Sequence, residues 1–89
     1  GIGASFASVD TPSLVLDTIK RADAGDGIVL RLYEAYGGRG TARVRLREPF
    51  TRARLGNALE EPFADVETDG WELVLPFRPH QVLTVIVER

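Results

Sequence analysis

Chemistry in a short chain needs side chains that converge, and the candidates here are few. His80 is the sole histidine, set between Pro79 and Gln81, and cysteine is absent. A zinc site of two or more histidines, or of thiolates, therefore cannot be built within the chain. His80 reads as a strand-end imidazole, half open to water. The carboxylates gather in turns: Asp23 and Asp26, then Glu60 and Glu61, then Asp69. Acid–base catalysis wants a desolvated carboxyl. In Asp26-Gly27 and Asp69-Gly70 the pattern is instead that of a carboxylate bonding the N–H groups of its own turn. Paired-carboxylate catalysis is not expected, and no catalytic or metal-ligating residue is assigned.

Three binding signals remain. Gly37-Gly38-Arg39-Gly40 is glycine-rich, but no strand-loop-helix context follows it and the Lys-Ser/Thr ending of a phosphate loop is missing. A hairpin turn is the reading it supports, with a loop that reaches a neighbouring domain's pocket as the alternative. Arg43, Arg45, Arg47, Arg52 and Arg54 alternate with apolar residues and could form a basic stripe for an acidic ligand. The competing reading pairs these arginines across strands with Asp17, Glu34 or Glu72, each exposed pair contributing little. No row of aromatics interleaves with them, so nucleic acid is not an expected partner. Trp71, Tyr33 and Tyr36 could stack on sugar, although a lone Trp and strand tyrosines more often serve a core or a domain interface.

The elements that must hold these residues are strands. From Ile28 to Tyr33, Ile28, Leu30 and Leu32 take one face and Val29, Arg31 and Tyr33 the other. From Ala42 to Arg47, Ala42, Val44 and Leu46 oppose the arginines. The first run is apolar on nearly both sides and suits a central strand, while the second covers a core with one face and meets water with the other. Ser13 to Arg21 precedes them, its β-branched Val15, Thr18 and Ile19 favouring sheet over helix. Arg52 to Asn57, a short edge strand from Phe63 to Glu67, Trp71 to Leu75, and Gln81 to Glu88 follow. The last is apolar on both faces, as the middle of a sheet or a strand beneath a neighbouring domain would be. About seven short strands with turn signals between them predict an all-β fold, an antiparallel β-sandwich.

Residues 1–10 read as an extended lead-in and 11–89 as a single sandwich domain. If Phe6 and Val9 find no groove on that domain, they become candidates for contact with something beyond it.

The 89 residues are 44% hydrophobic and 27% charged with a net charge of −2, which fits one soluble globular domain with one modest core. No apolar run approaches the ~18 residues of a membrane helix, so no membrane partner is expected. Cysteine-free composition is compatible with a reducing compartment, and a cytoplasmic location is the expectation.

Longer stretches carry a resemblance. Ser5 to Asp10, Leu14 to Asp23, and above all the ungapped run from Gly25 to Arg39, continued by Leu59-Glu60-Glu61-Pro62 and Phe77-Arg78-Pro79, resemble the C-terminal β-sandwich of glycoside hydrolase family 38 α-mannosidases. The resemblance implies a large parent enzyme that removes α-linked mannose with retention, using zinc and a carboxylate nucleophile in another domain. It implies no cofactor and no catalytic residue here. The partners it implies are the remaining domains of the parent and, through the parent, mannose-containing glycans. Tyr36, Gly37, Gly38 and Arg39 become candidates for a substrate-proximal loop, and Phe6, Trp71 and Ile86 for a domain interface. The alternative is a carbohydrate-binding sandwich module in which Tyr36, Arg39 and Trp71 contact sugar.

Overall fold

The computed structural model describes residues 6–22 and 25–89. Most of the lead-in, together with Asp23 and Ala24 of the first turn, lies outside the described residues. Among the described residues nine strands follow in chain order: β1 (Ala7–Val9), β2 (Leu14–Arg21), β3 (Ile28–Glu34), β4 (Gly40–Leu46), β5 (Arg52–Gly56), β6 (Pro62–Asp65), β7 (Glu67–Asp69), β8 (Glu72–Phe77) and β9 (Val82–Glu88). They form a four-stranded sheet in the order β1-β4-β8-β7 and a five-stranded sheet in the order β2-β3-β9-β5-β6. Every pairing is antiparallel. The expected all-β sandwich is the fold, with two more strands than the periodicity resolved. One addition is β1, where the lead-in pairs Ala7 to Val9 with Leu46 to Val44. The other comes from Phe63 to Glu67, which does not stay in one sheet. Val66, buried, lies between β6 at the edge of one sheet and β7 at the edge of the other.

Period two places the core. Ile28, Leu30 and Leu32 of β3 and Leu83, Val85 and Val87 of β9 face Ala42, Val44 and Leu46 of β4 and Leu73 and Leu75 of β8. β9 occupies the centre of the five-stranded sheet, as its run of apolar residues on both faces requires. Phe6 and Val9 pack partly buried against this core, so both find a place on the domain itself.

The outer face of the five-stranded sheet is covered over most of its length by the chain itself. Residues 57–61, between β5 and β6, fold back across it. Asn57 organises the turn: its Oδ1 accepts from the N–H groups of Leu59 (2.9 Å) and Glu61 (3.0 Å), and Glu60 takes a positive φ of 62°. Glu60 then reaches Lys20 of β2 at 2.5 Å, and Arg31 of β3 donates to the Ala58 carbonyl at 3.3 Å. Beneath this cover Val29, Thr84 and Ile86 are buried although they point away from the core. Gly56 permits the close approach, since a Cβ there would lie 2.7 Å from Cδ1 of Ile86.

The run from Ile28 to Leu46 is not the hairpin that its glycines suggested. β3 and β4 belong to different sheets, so residues 35–39 form a crossover between layers. Glycine serves a hairpin and a crossover equally well, because both need positive φ; here Gly37 holds φ 78°. The crossover is held by a side chain on the inner face of β3.

Candidate functional site

At the end of β3, period two sets Glu34 on the same face as Ile28, Leu30 and Leu32. A carboxylate on an apolar face must find donors. Glu34 is 2% exposed and finds them in three loops at once. The N–H groups of Tyr36 (3.0 Å) and Gly37 (2.6 Å) donate from the crossover, and that of His80 (2.9 Å) from the β8–β9 connection. The Ser13 hydroxyl donates from the segment before β2. His80 adopts a positive φ of 58°, uncommon for a residue with a Cβ, and this turns its N–H toward the carboxylate. Backbone bonds close the knot: Ala35 N–H to the Ser13 carbonyl and Glu34 N–H to the Gln81 carbonyl, both 2.9 Å.

Burial alone would raise the Glu34 pKa. The His80 N–H, the Ser13 hydroxyl and the N–H groups of the crossover outweigh it and hold the carboxyl at about 2, below its ordinary 4.5. That is the opposite of what a general acid needs, so Glu34 is an anchor for loops. Since its folded-state pKa is depressed, its stabilisation is complete above pH ~4.5 and is lost as the pH falls toward ~2. Thermal melts of the chain from pH 7 to pH 2.5 should therefore decline most steeply between those two values. A Glu34→Gln variant should lack that part of the decline, and an identical acid profile for the two proteins would remove the anchor role.

The residues singled out in the sequence are distributed unevenly around this knot. Tyr36, Gly37 and Arg39 are exposed on the crossover and Gly38 is half-buried over it, with the His80 imidazole so close that a Cβ on Gly37 would lie 3.2 Å from Nε2. Trp71 is elsewhere. It is half-exposed in the β7–β8 turn, its carbonyl accepting from Leu46 N–H at the far end of β4. Seven residues of strand at ~3.3 Å each put the crossover and Trp71 about 20 Å apart at opposite ends of the sandwich. The structure does not bring Tyr36, Arg39 and Trp71 onto one sugar-stacking surface. Phe6 lies near the Trp71 end, its carbonyl accepting from Arg47 N–H. Ile86 departs from its expected interface role: it is 7% exposed, closed over by residues 57–61 at the floor of a groove of about 530 Å³.

The basic stripe also dissolves. Arg43 and Arg45 stand on β4 and Arg52 and Arg54 on β5, in different layers, so they share no face. Three of these charges are met locally. Arg43 bridges Asp69 at 3.0 Å and Glu72 at 3.2 Å, Arg52 meets Asp65 at 3.0 Å, and Arg54 meets Glu88. The expected cross-strand pairing with Glu72 is present. Glu34 instead serves the loops, and Asp69 gives its carboxylate to Arg43 rather than to its own turn. Among the described residues, no three of His, Cys, Asp and Glu come together as a metal-binding group, so these side chains offer zinc no ligand set.

The sequence marks Glu34 for this role rather than for an arginine. An acid in phase with Ile28, Leu30 and Leu32, just ahead of a glycine-rich segment whose N–H groups lack strand partners, is the signature of a carboxylate that caps a loop.

Comparison with known proteins agrees with this architecture. Residues 13–85 match the glycosyl hydrolases family 38 C-terminal beta sandwich domain. Alpha-mannosidase 2C1 of Homo sapiens is 35% identical over an aligned length of 88 that covers 93% of this chain and 8% of that protein. The Mus musculus alpha-mannosidase 2C1 is 34% identical over the same shares. Alpha-mannosidase G of Dictyostelium discoideum is 29% identical over an aligned length of 86 that again covers 93% of this chain and 8% of that one. The chain thus spans about 8% of the length of these relatives.

Proposed function

The chain belongs to glycoside hydrolase family 38 as a C-terminal β-sandwich domain, and from that premise we propose that it is an accessory domain docked onto the rest of an α-mannosidase. The parent removes α-linked mannose with retention, and its zinc and nucleophile reside in another domain. Retention needs two carboxyl groups about 5 Å apart across a sugar bond. The carboxylates described here serve structure: Glu34 binds loop N–H groups, and Asp65, Asp69, Glu72 and Glu88 meet arginines. The observation that carries the reading is the family match over residues 13–85 on a sandwich with a closed core of its own and large apolar side chains still in water. The crossover supports a finer point. Gly37 to Arg39, held by Glu34 through the Gly37 N–H and exposed at Gly37 and Arg39, is the segment we place toward the parent's substrate.

The test uses two proteins. The isolated chain with added zinc should turn over no aryl α-mannoside. The full-length parent lacking the segment equivalent to residues 13–89 should lose most of its soluble, active yield. Turnover by the isolated chain, or a truncated parent as active and heat-stable as the intact one, would overturn the proposal.

A further inference from the structure

Docking requires a face, and the surface of this domain offers few. The outer face of the four-stranded sheet carries the Arg43, Asp69 and Glu72 ion pairs and exposed Arg45, groups that are costly to desolvate. The outer face of the five-stranded sheet is occupied by residues 57–61 over Val29, Thr84 and Ile86. Their cover stops short of the Glu34 end. There Val15 of β2, Tyr33 of β3 and Val82 of β9 are direct cross-strand partners in one row, Val15 opposite Tyr33 and Tyr33 opposite Val82. Tyr33 is 40% exposed, Val82 71%, and Tyr36 in the adjoining crossover 74%.

We infer that this row, Val15–Tyr33–Val82 with Tyr36 beside it, is the surface by which the domain docks onto the preceding part of its own parent polypeptide. The inference rests on the docking reading above and names its contact. The choice of occupant follows from size. The row exposes a few hundred Å², short of the ~800 Å² that each partner in a stable complex of separate proteins buries. A small apolar contact suffices when the partner is tethered, because covalent linkage supplies a local concentration on the order of millimolar. A tether is at hand, since the chain is 8% of the length of its relatives. The facing surface should be apolar, with room for two tyrosine rings. Glu34 prepares the contact by fixing the crossover before the partner arrives, which lowers the ordering cost of docking.

Hydroxyl-radical footprinting of side chains tests this, in the isolated chain and in the full-length parent. Labelling of Tyr33 and Tyr36 should fall several-fold in the parent, while Trp71, at the other end, keeps its rate. Protection of Trp71 with Tyr33 and Tyr36 unchanged would overturn the assigned surface and leave docking standing. No protection at any position would remove docking as well. Protection already present in the isolated chain, with a dimer mass by sedimentation, would make the occupant a second copy and overturn the inference. As a second arm, Val82→Glu should leave the isolated chain's melting unchanged and restore Tyr33 labelling in the parent. Arg45→Glu, on the opposite outer face, should restore nothing.

Discussion

Truncating Leu30 to alanine should cost about 3–5 kcal/mol, most of the stability a domain of this size possesses. Leu30 is fully buried at the middle of β3, with Ile19 and Val85 as its cross-strand partners on β2 and β9. The two neighbouring strands and the facing sheet hold the surrounding backbone, so the site cannot collapse onto the lost methyl groups. A cavity adds to the lost transfer free energy. For 89 residues the melting midpoint should drop on the order of 20 °C. Urea denaturation of the isolated chain is the measurement. A loss below about 1 kcal/mol would mean that β3 is not the centre of the packing.

The second large effect belongs to Glu34→Ala. Removing the carboxylate leaves the part-buried N–H groups of Tyr36, Gly37 and His80 without their acceptor. The positive φ at His80 also loses the bond that justifies it. A midpoint lowered by roughly 10 °C at pH 7 is expected. Glu34→Gln separates shape from charge: it fills the space, but its amide NH2 presents donors to donors, so it should recover less than half of the loss. Ser13→Ala removes one donor and leaves the acceptor, and should shift the midpoint by only a few degrees. A Gln variant as stable as the parent sequence at neutral pH would show that the carboxylate is replaceable and the knot incidental.

These two residues also mark how far the sequence could be read. Leu30 was plain, because alternation along Ile28 to Tyr33 and Ala42 to Arg47 assigns each side chain to core or water without knowledge of topology. β9 was plain too, for a strand apolar on both faces belongs at a sheet centre. Alternation says nothing of which strands are neighbours. β3 and β4 each have a core face, and that pattern is identical whether they pair edge to edge or face each other across ~10 Å of packed side chains. The crossover is held by Glu34, which also draws donors from loops remote in sequence, His80 lying 46 residues away. Ile86 hid for a related reason: its cover comes from residues 57–61, whose course depends on Asn57 bonding its own turn and on Glu60 reaching Lys20. The arginine stripe failed on topology alone, since β4 and β5 adjoin in sequence and lie in different layers.

One feature of the layering bears on how the domain comes apart. Of the eight connections between the nine strands, five carry the chain from one sheet to the other: after β1, β3, β4, β6 and β8. No continuous segment owns either layer, and neither can be peeled away while the other stays intact. Loss of structure should therefore be all-or-none, with Trp71 emission at one end and backbone signal throughout reporting a single shared midpoint. A protease that nicks the exposed tip around Leu59 should leave two pieces interleaved in both sheets, held as one particle until denaturant releases them together.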